Sequence, residues 1–78
     1  MAANNINKRA NFEKVAGKRI TYIIDKIKLL GNCANRNNYE YHEDDISKMF
    51  SAIRSQLKET EKRYRDELEK KAKKSFKF

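Results

Sequence analysis

The sequence predicts an all-α fold. Apolar residues recur at steps of three and four along two long stretches, no Pro and only two Gly interrupt them, and a single aperiodic segment lies between. With 78 residues there is room for one small domain at most. The architecture expected is an antiparallel two-helix hairpin with a long second helix. Such a hairpin has few residues to bury, so it is expected to dimerise into a four-helix bundle or to dock on a larger partner.

Each element can be justified from its residues. The opening ten residues are polar and are expected to form a flexible arm. From Asn11 a helix is predicted to run to about residue 30, with Asn11 as its N-cap and Phe12, Ala16, Ile20, Ile23, Ile27 and Leu30 on one side. Gly17 falls inside this helix, where it is either tolerated or allows a second helix to come close. Gly31 is the expected stop, since the residue past a helix end often takes positive φ.

A connector over 31–41 comes next, and then a second helix over about 43–72. His42 falls at the N-cap of that helix, with Asp45 three residues on to bond back to it and Tyr41 placed to staple against Ile46. Glu43, Asp44 and Asp45 put negative charge where the helix dipole favours it. Ile46, Phe50, Ile53, Leu57, Thr60 and Tyr64 then repeat at helical spacing, while Ile24, Leu29, Met49, Ala52 and Leu68 fall beside the two seams and also want cover. Past Thr60 the helix is written in charge. Glu59–Arg63, Glu61–Arg65, Asp66–Lys70, Glu67–Lys71 and Glu69–Lys73 stand four apart with the acid first, each contributing about 0.2–0.5 kcal/mol. Residues 73–78 are expected to be a basic tail.

Composition narrows the function. Mean hydropathy is −1.03 and net charge +8, a pairing that suggests disorder until the helical spacing of the apolar residues is recognised. Residues 1–41 hold eight Lys or Arg against three acids, a net +5, while 42–60 are net −1 and 61–78 net +4. On the first helix Lys14, Lys18, Arg19, Tyr22 and Lys26 lie off the apolar seam, with an aromatic among cations. That pattern suits backbone-type, salt-sensitive attachment to nucleic acid or to an anionic protein. Arg36 and Tyr39 in the connector, and Arg63, Arg65 and Lys70 on the second helix, would extend such a contact. No helix-turn-helix, zinc-finger or RNA-binding signature accompanies these residues.

Catalysis is not expected. The chain has one His and one Cys, His42 and Cys33, and two such ligands do not make a zinc site; no phosphate-cradling glycine loop is present, and no cofactor or metal is implied. With a single Cys, no spanning apolar run and no leader pattern, a reducing cytoplasm of a bacterial cell or host is the expected location, and membrane association is not favoured.

The connector reads Gly31-Asn32, two small residues, Asn35-Arg36, then Asn38-Tyr39-Glu40-Tyr41. Together with "FEKVAGKRI" and "ISKMFSAIRSQLKETEKRY" it resembles a family of short helical proteins from bacteria and their mobile elements, over about Phe12 to Tyr64. Where such sequences usually carry Thr after the last Tyr, this one has His42. The resemblance implies a helical fold and a phage or mobile-element origin and carries no activity of its own. The expected partners are therefore nucleic acid or a nucleoprotein complex, with a homodimer as the working form. Two rivals stand beside this: a protein-binding inhibitor of a host defence nuclease (anti-CRISPR-like) or adaptor, and a purely structural helical dimer.

Overall fold

The computed structural model describes the backbone of residues 2–74 and the side chains of residues 7–70. The fold is all-α: helix α1 spans Ala2–Gly31, a 3₁₀ turn spans Asn32–Ala34, and helix α2 spans Glu43–Lys74. Among the described residues there is no strand. The chain divides into two units, Met1–Glu40 and Tyr41–Phe78.

In the first unit α1 begins well before the start expected at Asn11, so the polar arm predicted over residues 1–10 is helical from Ala2 onward. Asn11 is an interior residue rather than a cap. Nothing between Ala2 and Ala16 breaks a helix, and Arg9 bridges the supposed boundary by bonding Glu13 through Nε to Oε2 at 3.1 Å. Arg9 also lies 5.6 Å from the Phe12 ring centroid. An i,i+4 ion pair and an arginine stacked three residues before an aromatic keep the helix going where apolar spacing gives no signal.

The far end of α1 also differs from expectation. Gly31 has φ −59° and ψ −26°, ordinary right-handed values, and no described residue takes positive φ. The helix tightens into the 3₁₀ turn and stops at Asn35, which is extended at φ −69° and ψ 105°. Asn35 then organises the rest of the turn. Its carbonyl accepts from the N–H of Asn38 at 3.1 Å and of Tyr39 at 3.0 Å, and its side-chain Oδ1 accepts from the N–H of Asn37 at 3.0 Å. The Asn side chain here substitutes for a backbone group in closing a turn, which is why an Asn-rich connector needs neither Gly nor a left-handed residue.

The second unit opens as its residues predict. The His42 carbonyl accepts from the N–H groups of Asp45 at 3.0 Å and Ile46 at 3.3 Å, and Asp45 Oδ2 accepts from the His42 N–H at 2.9 Å. That return bond is the N3 half of a capping box, made by an Asp. Tyr41 and Asp45 are half-buried. The charge ladder of α2 is partly re-paired: Glu61 meets Arg65 at 2.8 Å as expected, whereas Asp66 takes Lys62 at 2.8 Å rather than Lys70, and Lys70 lies 3.9 Å from Glu67. The lysines expected to pair with Glu67 and Glu69, Lys71 and Lys73, have side chains outside the described residues, as does the end of the basic tail beyond Lys74.

The Lys62–Asp66 bond raises the Lys62 ammonium above its usual pKa, first through the hydrogen bond and then through the carboxylate's charge. A group whose folded pKa is raised keeps its contribution below the unfolded value and loses it as pH climbs through the folded one, so this pair weakens only in strongly alkaline solution. Asp66→Asn should lower the Lys62 pKa toward the ordinary lysine value, read from its side-chain resonances. An unmoved Lys62 titration would mean that the pair does not form.

No described residue is buried. Ala16 and Leu30 on α1 and Ile53 on α2 are half-buried, and the rest of both apolar stripes is open, from Phe50 at 37% exposed to Leu57 at 57%. Gly17 likewise faces open space, since a Cβ built there meets nothing within 4 Å. Gly17→Ala is therefore expected to raise helix stability by about 1 kcal/mol and to lift the thermal midpoint. A lowered midpoint would show that another helix packs closely against that position.

Candidate nucleic-acid interface

Helix α1 sets the site. Lys14, Lys18, Tyr22 and Lys26 are four residues apart, and each step of four advances about 6 Å along the axis and about 40° around it. The four form a ridge about 18 Å long that starts opposite Ile23 and winds toward the apolar stripe. Arg19 lies four residues before Ile23 and seven before Lys26, so it borders the stripe and flanks Tyr22 on the Lys26 side. All five side chains are exposed, Tyr22 at 62%.

Tyr22 and Lys26 are in contact. The Lys26 ammonium sits 4.9 Å from the Tyr22 ring centroid, a cation–π arrangement. The ring thereby carries a positive charge over one face. Its immediate helical neighbours are Lys18, Arg19, Asp25 and Lys26, three cations and one acid. Among the described residues, no carboxylate lies within ion-pairing distance of Lys14, Lys18, Arg19 or Lys26.

The remaining candidates divide differently. Arg36 and Tyr39 belong to the same unit as the ridge and lie in the turn that Asn35 organises; both are exposed, Tyr39 at 52%. Arg63, Arg65 and Lys70 belong to the second unit. Arg63 and Lys70, seven apart, share one side of α2, while Arg65 points to another. Arg65 and Lys70 already face Glu61 and Glu67, so much of their charge is answered within α2. Arg63 is unpaired among the described residues, as are Lys14, Lys18, Arg19 and Lys26; what α1 adds is that its unpaired cations are grouped around an aromatic ring. Arg9 is a cation that period-based reasoning passed over; its sequence signal was the Glu four residues later.

Cys33 is exposed, and among the described residues no three His, Cys, Asp or Glu side chains are grouped to hold a metal ion. No helix of the described residues is long and apolar enough to cross a membrane. Comparison with protein-family models, curated proteins and solved structures finds no match to this chain.

Proposed function

We propose that this is a non-enzymatic basic binding protein of phage or mobile-element origin that attaches to nucleic acid, or to a nucleoprotein complex, by electrostatics. The observation that carries the reading is the α1 ridge. Lys14, Lys18 and Lys26 are exposed and free of carboxylate partners among the described residues, with Tyr22 held among them under the Lys26 ammonium. Cations without partners on their own chain release counterions from a phosphate backbone without first breaking ion pairs. An exposed aromatic beside them adds a stacking surface that every base can use. Arg36 and Tyr39 extend the same unit's surface, Arg63 adds a cation free of carboxylate partners among the described residues, and the paired Arg65 and Lys70 add long-range attraction more than contact.

The salt dependence of binding tests this. With the four α1 cations Lys14, Lys18, Arg19 and Lys26 engaged, log K against log salt should fall with a slope of about −3 to −4. Affinity that does not change with salt would remove the electrostatic mechanism.

A second reading is favoured by the connector. Asn35 fixes the turn through three hydrogen bonds and leaves Tyr39 52% exposed, a preformed protrusion suited to a protein groove. In that case the protein would inhibit a host nuclease or act as an adaptor. Asn37→Ala with Tyr39→Ala would then cost more than loss of the α1 lysines.

A further inference from the structure

The Tyr22 ring has one face under the Lys26 ammonium, 4.9 Å from its centroid. Among the described residues it has no other ring, ionic or hydrogen-bonding partner, and the residue is 62% exposed, so the opposite face is open. An aromatic set among cations with one open face is a stacking platform for a single flat group. Resting on the nucleic-acid reading of this helix, we propose that the α1 ridge selects unpaired strands over duplex, with one base laid on the free face of Tyr22.

The two forms differ in what they offer the ring. In a duplex each base is covered above and below by its neighbours and shows only its edges in the grooves. To reach a base face there, Tyr22 must force a step open, at the cost of unstacking. An unpaired strand presents base faces without that cost and adjusts the spacing of its phosphates to the protein. Cations for the flanking phosphates stand close by. Lys18 and Arg19 are four and three residues before Tyr22, one turn away, and Lys14 is a further turn back. Val15 and Leu29, seven residues before and after Tyr22 on nearly the same face, are 44% and 54% exposed and add apolar surface for neighbouring bases. Charge alone gives the reverse preference, because the duplex carries the denser phosphate array and releases more counterions per contact. A preference for single strands is therefore a signature of the ring and not of the lysines.

Three oligonucleotides, each roughly twelve nucleotides long, distinguish the outcomes: single-stranded oligothymidylate, an abasic strand with the same phosphates, and a G·C-rich duplex. At one salt concentration the parent should bind thymidylate more tightly than the duplex, and about tenfold or more tighter than the abasic strand. Tyr22→Leu should bring thymidylate down to the abasic value. Tyr22→Trp should keep the gap and, as the only Trp in the chain, change its fluorescence when thymidylate binds but not when the abasic strand does. Equal, salt-sensitive affinity for all three would overturn the proposal and leave electrostatic attachment standing. A thymidylate preference that survives Tyr22→Leu would overturn it as well, placing the stacking ring elsewhere. No measurable binding to any of the three would remove both the proposal and the nucleic-acid reading, and leave this face to an acidic protein.

Discussion

Reversing the three ridge lysines, Lys14→Glu, Lys18→Glu and Lys26→Glu, is expected to abolish nucleic-acid binding, with a loss on the order of 100-fold or more at about 50 mM salt. The swing is six charges on one face of α1. The positions do not support the fold through burial, because all three side chains are exposed, and among the described residues none is ion-paired. Circular dichroism should therefore stay close to that of the parent while affinity collapses. The contact of Lys26 with Tyr22 makes one position diagnostic. Tyr22→Leu keeps every charge and removes only the stacking ring, so its loss, about 1–3 kcal/mol, should be insensitive to salt, whereas the loss in the triple variant should shrink as salt is added. Filter binding or fluorescence anisotropy across a salt series separates the two effects. Full affinity in the triple variant would place binding elsewhere on the chain.

The second large effect is expected on the apolar side. Phe50→Asp with Leu57→Asp changes two side chains that are 37% and 57% exposed in the single chain, and a lone helix would tolerate both. If the stripe is covered in the working protein, each change places a charge in an apolar contact and forfeits about 2 kcal/mol of burial besides. The double variant should lose its cooperative thermal transition and sediment as a monomer, while retaining the non-cooperative helicity of an isolated, ion-paired helix. Unchanged melting and unchanged sedimentation would show that the stripe is solvated in the working state.

The parts of the fold that sequence reasoning recovered are those where side-chain period carries the information. Ile20, Ile23 and Ile27 on α1, and Ile46, Phe50, Ile53 and Leu57 on α2, mark helices because only a 3.6-residue repeat sets them on one face. The start of α2 was legible for a chemical reason: an acid three residues after His42 can return a bond to the cap, and Asp45 does.

The helix ends that were missed have no apolar residues to mark them. Between Ala2 and Asn11 the chain continues as helix without a periodic face, and an Asn that can cap a helix reads the same as one inside it. At the other end Gly31 suggested a left-handed stop, yet a glycine permits that conformation without requiring it, and the turn was closed by Asn35 instead. Charge partners were the least legible, because Asp66 had cations at both four residues before and four after, and sequence order alone favoured the wrong one.

Of the candidate site, spacing alone identified the α1 ridge. What it could not supply was which cations are already answered: Arg65 and Lys70 meet their own carboxylates, whereas Lys14, Lys18, Arg19 and Lys26 do not among the described residues. That contrast narrows ten candidate residues to a working set around Tyr22.

The most direct measurement is an amide and lysine side-chain NMR titration of the full chain with a short single-stranded oligonucleotide. The account predicts shifts centred on Lys14, Lys18, Tyr22 and Lys26, fading as salt is added, with Ile20, Ile23 and Ile27 little changed. Shifts confined to the apolar stripe or to residues 43–60, or no shifts at millimolar oligonucleotide, would contradict it.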